Sequence, residues 1–334
     1  MLARLCRTWS LDLTGSHSEV AEPRDLILGT VENYDFYEFR RFLMTLRQTR
    51  FRGHACLFVG PGISRRTVAK IRKYGVEVVR YRGAFPFVAN PHPDAPHALP
   101  EPIYVFNYRH FLYYNYLLKH GTIFRNVLLT DVKDVVFQRD PFAFAVGDRI
   151  HVAMENPDIP VGSCPWTSQW ILAGYPPEVL ERLQDEEMSC AGTTLAPVPR
   201  MMRYLELMLA EIARMKDAYE CADQAAHNLL LHEGKLEPAN RLRNFEGPIL
   251  TVGTEPRYEL NDDKELVNHD GSAIAVVHQY DRHPELVRIY EEKAVPSALR
   301  RRASKAAYRA KGAARSLLRK ARERWRPGVG RGRS

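Results

Sequence analysis

The sequence predicts an α/β fold, a Rossmann-type mostly parallel sheet flanked by helices and followed by a basic helical tail, and three observations carry that reading. Short apolar runs alternate with stretches of helical periodicity from residue 25 onward, in the βαβαβ order of a parallel sheet. One apolar run ends in two aspartates three residues apart, and parallel sheets bind ligands at the carboxyl ends of their strands. The 334 residues are 45% hydrophobic and 26% charged, the composition of a soluble globular chain with length for one large domain or two small ones.

After a polar leader over residues 1–23, Asp25 to Val31 (DLILGTV) is expected to form a short buried strand and Asp35 to Thr49 a helix. Ala55 to Val59 reads as a second strand, Ser64 to Tyr74 as a helix capped by Ser64, and Val76 to Tyr81 as a third strand. Gly60-Pro61-Gly62 stands at one strand end, but the third glycine of GxGxxG would fall on Arg65 and no Walker A sequence occurs, so it reads as a turn. Proline and histidine accumulate from Ala84 to Pro102, which marks a long irregular loop, either a surface excursion or an active-site flap. A helix is expected over Ile103 to Lys119, followed by a buried strand at Val127-Leu128-Leu129. Downstream come a strand at Ile150 to Met154, helices near Trp166 to Ala173, over Val198 to Met215 and over Asp223 to His232, and a late strand at Ala273 to Val277. One domain is expected over residues 24–293 and a basic amphipathic tail over 294–334.

No apolar stretch approaches the roughly 20 residues of a membrane span, and MLARLCRTWSLDL lacks the apolar core of a signal peptide. Five scattered cysteines without a CxxC encode neither a disulfide framework nor a structural zinc site. A cytoplasmic location is therefore expected. The formal charge is +8, yet residues 300–334 hold fourteen Lys/Arg against Glu323 alone, which gives the tail +13 and leaves −5 on the rest. That distribution, without aromatic interleaving, makes nucleic acid an unlikely partner. Leu299, Ala303, Ala306, Ala310, Ala314, Leu317, Ala321 and Trp325 step by three and four, placing a weakly apolar stripe on a basic helix. Such a helix could lie on an anionic membrane surface, at about 1 kcal/mol per basic residue, as a peripheral attachment to the inner face; a solvated tail is the alternative.

The chemistry concentrates in Phe124 to Phe142, FRNVLLTDVKDVVFQRDPF. Asp131 and Asp134 at a strand end repel one another in a low-dielectric cleft unless a cation compensates. Mg²⁺ or Mn²⁺, held by one or two carboxylates with other positions left to phosphate oxygens, would do so; a turn with solvated carboxylates is the alternative. Asp140 before Pro141 has the form of a helix N-cap with proline at the first helical position, a structural role.

LLTDVKDVVFQRDPF resembles the metal-binding segment of GT-A-fold glycosyltransferases, where an apolar strand ends in Asp-x-Asp and an aromatic and Asp-Pro-Phe follow. Ser189 to Leu195, SCAGTTL, resembles the segment of small residues beside donor sugar and acceptor, and Asp223-Gln224, opening DQAAHNLLLH, resembles the Asp-Gln helix start. Val276 to His283, VVHQYDRH, resembles the late strand whose histidine completes the metal site. These landmarks run in order over residues 25–290. Counted back from Asp140, Asp134 stands for the second aspartate while the first falls on Val132, so the motif here is Asp-x-x-Asp.

The resemblance implies a GT-A-like transferase that moves a sugar from a nucleotide-diphosphate donor to a sugar or glycolipid acceptor, with Mn²⁺ or Mg²⁺ stabilising the leaving diphosphate. It implies metal ligation by Asp131, Asp134 and His278, and nucleotide-sugar contacts from Thr30, Asn33, Arg109, Thr130, Asp131 and Val132. It assigns catalysis to Asp223 and Gln224, and sugar or acceptor contacts to Trp166, Trp170, Cys190, Ala191, Gly192 and Thr193. Arg109 or Arg125 could assist at the diphosphate; both could equally be ordinary surface arginines. His278 could be a satisfied structural histidine, Asp223 a helix cap, and the Trp166/Trp170 pair core packing. Cys190 has no base near it in sequence and is not read as a nucleophile. Two rivals stand beside the transferase: a sugar-phosphate nucleotidyltransferase, whose early glycine-rich loop is not seen here, and a non-catalytic scaffold bound to an anionic surface through the tail.

Overall fold

The computed structural model describes residues 22–81, 104–218 and 220–294. Most of the leader, the loop expected over Ala84 to Pro102 and the basic tail from residue 295 lie outside the described residues.

The first half follows the expected alternation. Strand β1 (Arg24–Val31) leads to helix α1 (Phe36–Gln48), β2 (His54–Val59), α2 (Arg65–Arg72) and β3 (Glu77–Arg80). After the undescribed segment come α3 (Val105–His120), β4 (Phe124–Thr130), β5 (Val135–Phe137), β6 (Ile150–Met154), α4 (Pro165–Gly174) and α5 (Pro177–Leu183). The rest comprises β7 (Ser189–Pro197), α6 (Val198–Arg214), α7 (Ala222–His232), β8 (Ala239–Leu242), β9 (Ile249–Thr251), β10 (Val276–His278) and α8 (Pro284–Ala294). Local chemistry sets these boundaries. The Asp35 N–H donates to Glu38 Oε2 at 2.8 Å at the start of α1, and Ser64 Oγ accepts from the Thr67 N–H at 3.1 Å at the start of α2.

Seven strands form one sheet in the order β3-β2-β1-β4-β7-β6-β8. All run parallel except β7, which is antiparallel to both its neighbours, β4 and β6. A second sheet, β5-β10-β9, lies beside it. The central strands are buried on both faces: Leu26, Leu28, Val127 and Leu129 pack toward α3, α6 and α7, while Ile27, Val31 and Leu128 pack toward α1 and α2. Leu250, Val277, Tyr280 and Tyr290 gather the small sheet under α8. Among the described residues no helix is long and apolar enough to cross a membrane.

Three expectations need correction, and one strand stands where none was expected. The Asp140-Pro141 pair starts no helix; Asp140 Oδ1 accepts the Phe142 N–H at 3.0 Å in a local turn, so its role is structural but the element is not helical. The late strand covers Val276–His278 instead of Ala273 to Val277, because Ala275 still bonds outside the ladder and His278 pairs with Val135 and Thr251. SCAGTTL, for which no element was expected, forms a central strand, β7. Arg125 is no site residue: it forks onto Asp25 at 2.8 and 2.6 Å, at the amino end of β4.

The order of strands reverses at β1. Connections run outward through β2 and β3 and then return across the sheet to β4, so a crevice opens between the carboxyl ends of β1 and β4, the place where doubly wound sheets bind ligands.

Candidate functional site

A cleft of about 630 Å³ opens at that crevice. β1 contributes Thr30, the turn after β4 contributes Asp131, Val132, Lys133 and Asp134, and β7 contributes Cys190, Ala191 and Gly192. Arg109 reaches it from α3, Asp223 and Gln224 from the first turn of α7, and His278, Gln279, Asp281 and Arg282 from the end of β10 onward.

Asp131, Asp134 and His278 each aim a ligand atom at one point, all within 4.8 Å of one another. His278 Nε2 lies 3.3 Å from Asp131 Oδ2 and 3.6 Å from Asp134 Oδ1. The backbone builds this convergence. The β6–β7 register shifts between Val152 and Ala153, which pushes Ala191-Gly192 out of that ladder and lets the Gly192 carbonyl accept the Asp131 N–H at 2.8 Å. Gln279, in the left-handed region at φ 60°, donates its N–H to the Asp134 carbonyl at 2.9 Å and locks the His278 strand end onto the aspartate turn.

These three residues fit a hard divalent cation on two further observations. His278 is 1% exposed, and among the described residues its Nε2 makes no well-aligned hydrogen bond and stands only within ion-pair reach of the two carboxylates, which leaves the nitrogen open to a ligand. A Cβ on Gly192 would stand 2.4 Å from His278 Cε1 and 2.7 Å from Asp131 Oδ2, so only glycine leaves the cradle open. Two carboxylate oxygens and one imidazole nitrogen suit Mn²⁺, and also Mg²⁺. Burial opposes the imidazolium form of His278, but the Asp134 and Asp131 carboxylates outweigh it and hold the pKa well above its ordinary value. The position favours positive charge. Burial likewise works to raise the Asp134 carboxyl, and His278 and Arg282 reverse that effect and hold it well below the carboxylate range.

Behind the triad lies an ion cluster in which Arg109, Asp223 and His110 are buried and Asp131 is partly exposed. Arg109 bridges two carboxylates, pairing with Asp131 through Nη1 and with Asp223 Oδ2 through Nη2 at 2.7 Å; His110 Nε2 meets the same Asp223 oxygen at 3.2 Å. Arg109, 7% exposed, is thus no surface arginine. Asp223 does not cap α7 either. The Asn107 side chain does so, accepting the Asp223 N–H at 2.9 Å and donating to the Ala218 and Glu220 carbonyls. Despite burial, Arg109 and His110 keep the Asp223 carboxyl below its ordinary pKa. Gln224 spends its amide on β7: Oε1 accepts the Ala191 N–H at 2.9 Å and Nε2 donates to the Ser189 carbonyl at 2.7 Å. Its geometry is that of a residue holding the strand beneath the triad.

The remaining expected residues are distributed unevenly. Thr30 reaches the cleft and shares a 2.9 Å hydrogen bond with the Tyr113 hydroxyl, and Val132 lines it from a buried position. Trp166 stands 62% exposed at the cleft, while Trp170 lines it from within, packed on the core with an indole N–H that is buried and unpartnered. Cys190 is buried, its thiol pKa raised by burial, and its sulfur lies 3.6 Å from His278 Nδ1, a neighbour that sequence distance concealed. Asn33, Thr130 and Thr193 are not among the cleft's lining residues; Thr130 and Thr193 are buried, the Thr130 hydroxyl donating to the Asp131 carbonyl at 2.9 Å. Sequence reasoning missed Glu155, Arg282, Asp281 and Lys133, all of which line the cleft. Glu155 directly follows β6, an expected strand, so its carboxyl-end position was the available signal; burial raises its pKa.

The chain is similar to solved glycosyltransferases. It shares 16% identity with galactosyltransferase LgtC, solved with donor and acceptor sugar analogs, covering 80% of this chain and 95% of that one at a TM-score of 0.43. With glycosyltransferase GlyE of Streptococcus pneumoniae it shares 12% identity over 82% of this chain and 60% of that one, TM-score 0.45. With core-mannan synthase A of Aspergillus fumigatus, in an Mn/GDP form, the figures are 12%, 64% and 71%, TM-score 0.36. No protein-family model matches the chain, and no curated protein does.

Proposed function

We propose that this protein is a metal-dependent glycosyltransferase of the GT-A type, moving a sugar from a nucleotide-diphosphate donor to a sugar or glycolipid acceptor. The observation that carries the reading is the convergence of Asp131, Asp134 and the Nε2 of buried His278 on one point of the cleft at the sheet's switch point. Asp131, Asp134 and His278 would hold Mn²⁺ or Mg²⁺, which supplies charge neutralisation and Lewis acidity at a leaving diphosphate.

The chain's own groups do the rest. Arg109 fixes the Asp131 and Asp223 carboxylates in one rigid frame, so neither reorganises when the donor arrives. Asp223, ionised through Arg109 and His110, presents negative charge to the floor of the cleft, suited to donor hydroxyls or to positive charge developing at the transferred sugar. Gln224 keeps Ala191 and Gly192 in place beneath it. Trp166, exposed on the cleft, offers a ring face to an acceptor sugar. The basic tail would bring the enzyme to an anionic membrane on its cytoplasmic side, where glycolipid or polysaccharide acceptors are reached.

A thermal-shift panel of UDP, GDP, CDP and dTDP and their sugars, with and without Mn²⁺, tests the reading. One nucleotide is expected to raise the melting temperature only with metal, since a ligand at a hundred times its dissociation constant adds about 2.7 kcal/mol. No shift for any of them would favour a non-catalytic scaffold, and release of pyrophosphate from a nucleoside triphosphate and a sugar phosphate would favour a nucleotidyltransferase.

A further inference from the structure

The surface layer formed by α1 and α2 breaks with the charge balance of the rest of the protein. Residues 39–76 hold ten Lys/Arg and neither Asp nor Glu, so they carry +10; residues 1–299 together carry −5, which leaves −15 on the others. Arg40 and Arg41 answer Glu291 of α8, and none of the remaining eight has a carboxylate partner among the described residues. Five of them belong to one helix. Arg65, Arg66, Arg72 and Lys73 are exposed and Lys70 half-buried along α2 and its cap, while Val68 and Ile71 turn into the core, so one side of the helix is apolar and the other basic. Arg65 and Arg66 occupy the first turn, where the helix dipole favours acids, and no acid stands there. Charge set against the dipole costs stability locally with nothing in the fold to offset it, the pattern of a surface shaped by binding.

We propose that the α1–α2 layer is a membrane-docking face, which seats the globular body on anionic lipid headgroups. The inference rests on the membrane reading of this protein and adds to the tail a second contact that fixes orientation. Lys70 Nζ lies 4.6 Å from the Phe36 ring centroid and 4.9 Å from that of Tyr37, and the Arg47 guanidinium lies 5.9 Å from that of Tyr74. Cations of both helices thus share one surface with aromatic rings, of which Tyr37 is 45% exposed. Rings beside Lys and Arg suit the headgroup level of a bilayer. The tail departs from the same side. Near the end of α8 the Lys293 carbonyl accepts from Gln48 Nε2 at 3.2 Å, and Gln48 ends α1 next to Arg47. The chain therefore enters its +13 segment beside the basic layer, and one anionic surface can meet both. The acidic remainder of the body is repelled by that surface, which makes the contact one-sided. Tyr34, three residues before Tyr37, lines the cleft, so this seating brings the cleft rim to the bilayer and to a lipid-linked acceptor.

The test uses the full chain and vesicles of phosphatidylglycerol and phosphatidylcholine, read by co-sedimentation. Three variants each remove four positive charges. The face variant is Arg65→Gln/Arg66→Gln/Arg72→Gln/Lys73→Gln. The control is Lys119→Gln/Arg182→Gln/Arg200→Gln/Arg203→Gln, on α3, α5 and α6 across the sheet, and the tail variant is Arg319→Gln/Lys320→Gln/Arg322→Gln/Arg324→Gln. At about five-fold per basic residue held at an anionic surface, the face variant is expected to partition at least about 20-fold more weakly and the control less than about 3-fold more weakly. Equal losses in these two would reduce the effect to net charge and overturn the proposal, as would unchanged binding of the face variant. A face variant that loses affinity for duplex RNA or DNA but not for vesicles would overturn it in favour of nucleic acid. Failure of the tail reading looks different: the tail variant would then bind as wild type does, with the face variant alone weakened. In the native chain, amide exchange over residues 64–75 is expected to slow on vesicle binding, and unchanged exchange there overturns the proposal even if the face variant fails to fold.

Discussion

A buried or half-buried aspartate cluster stands near one end of strand β4 and a single paired aspartate near the other, and the two are built to opposite purposes. At the amino end Asp25 is answered by the Arg125 fork and by Asn126 Nδ2 at 2.8 Å, a carboxylate saturated by side chains of the strand paired with it. At the carboxyl end Asp131, Asp134 and Asp223 are answered by Arg109 and Arg282, yet among the described residues a buried imidazole nitrogen in their midst makes no well-aligned hydrogen bond. Closed charge stabilises a fold edge. Open, preorganised charge is a device for a ligand, and its cost is accepted because a cation can complete it.

Breaking each at its arginine should expose the contrast. Arg109→Ala leaves Asp223, His110 and Asp131 facing one another in the interior, and a loss of about 3–5 kcal/mol in urea unfolding is expected. Asn107→Ala frees the Asp223 N–H and two carbonyls at the start of α7, for an expected loss of about 1–3 kcal/mol by the same measurement. Acid sharpens the comparison further. Burial lowers the His227 pKa from 6.5 to about 3, so its neutral form contributes stability fully present above 6.5 and lost as pH falls toward 3. The slope is at most about 1.4 kcal/mol per pH unit per histidine; His110, lowered in the same direction by burial, adds to it. Unfolding free energies measured between pH 7 and 4 should decline accordingly, and less steeply in His227→Gln. Smallest of all, Arg125→Ala should cost under about 1 kcal/mol, because this arginine is exposed and Asn126 still serves Asp25.

The sequence made the two ends unequally legible. β1, α1, β2 and α2 declared themselves through apolar runs and periodicity, with Ser64 marking a helix start. β5, β8 and β9 carry three or four residues each, too short for any period to register. SCAGTTL stands out in sequence by a family resemblance and not by a strand pattern; as an antiparallel strand inserted between parallel ones it needs no alternation, being buried along almost its whole length. Asp131, Asp134 and His278 were legible because one strand end and one late strand carry them. The partnership of Arg109 with Asp223 spans 114 positions and that of Arg282 with Asp134 spans 148, separations at which no local pattern exists. Asp140 shows the converse: Asp-Pro specifies either a helix start or a turn, and only the following packing decides.

The open cluster is the centre of the account, and direct titration of Mn²⁺ by electron paramagnetic resonance tests it without any donor. Wild-type protein is expected to take up one ion at this cluster. Asp134→Asn and His278→Gln should each lower its affinity by more than roughly 100-fold, beyond the effect of removing an outer partner, with their far-ultraviolet spectra unchanged. Equal Mn²⁺ binding in wild type and both variants would contradict the metal reading and reduce the triad to structural ion pairing like that at the other end of β4.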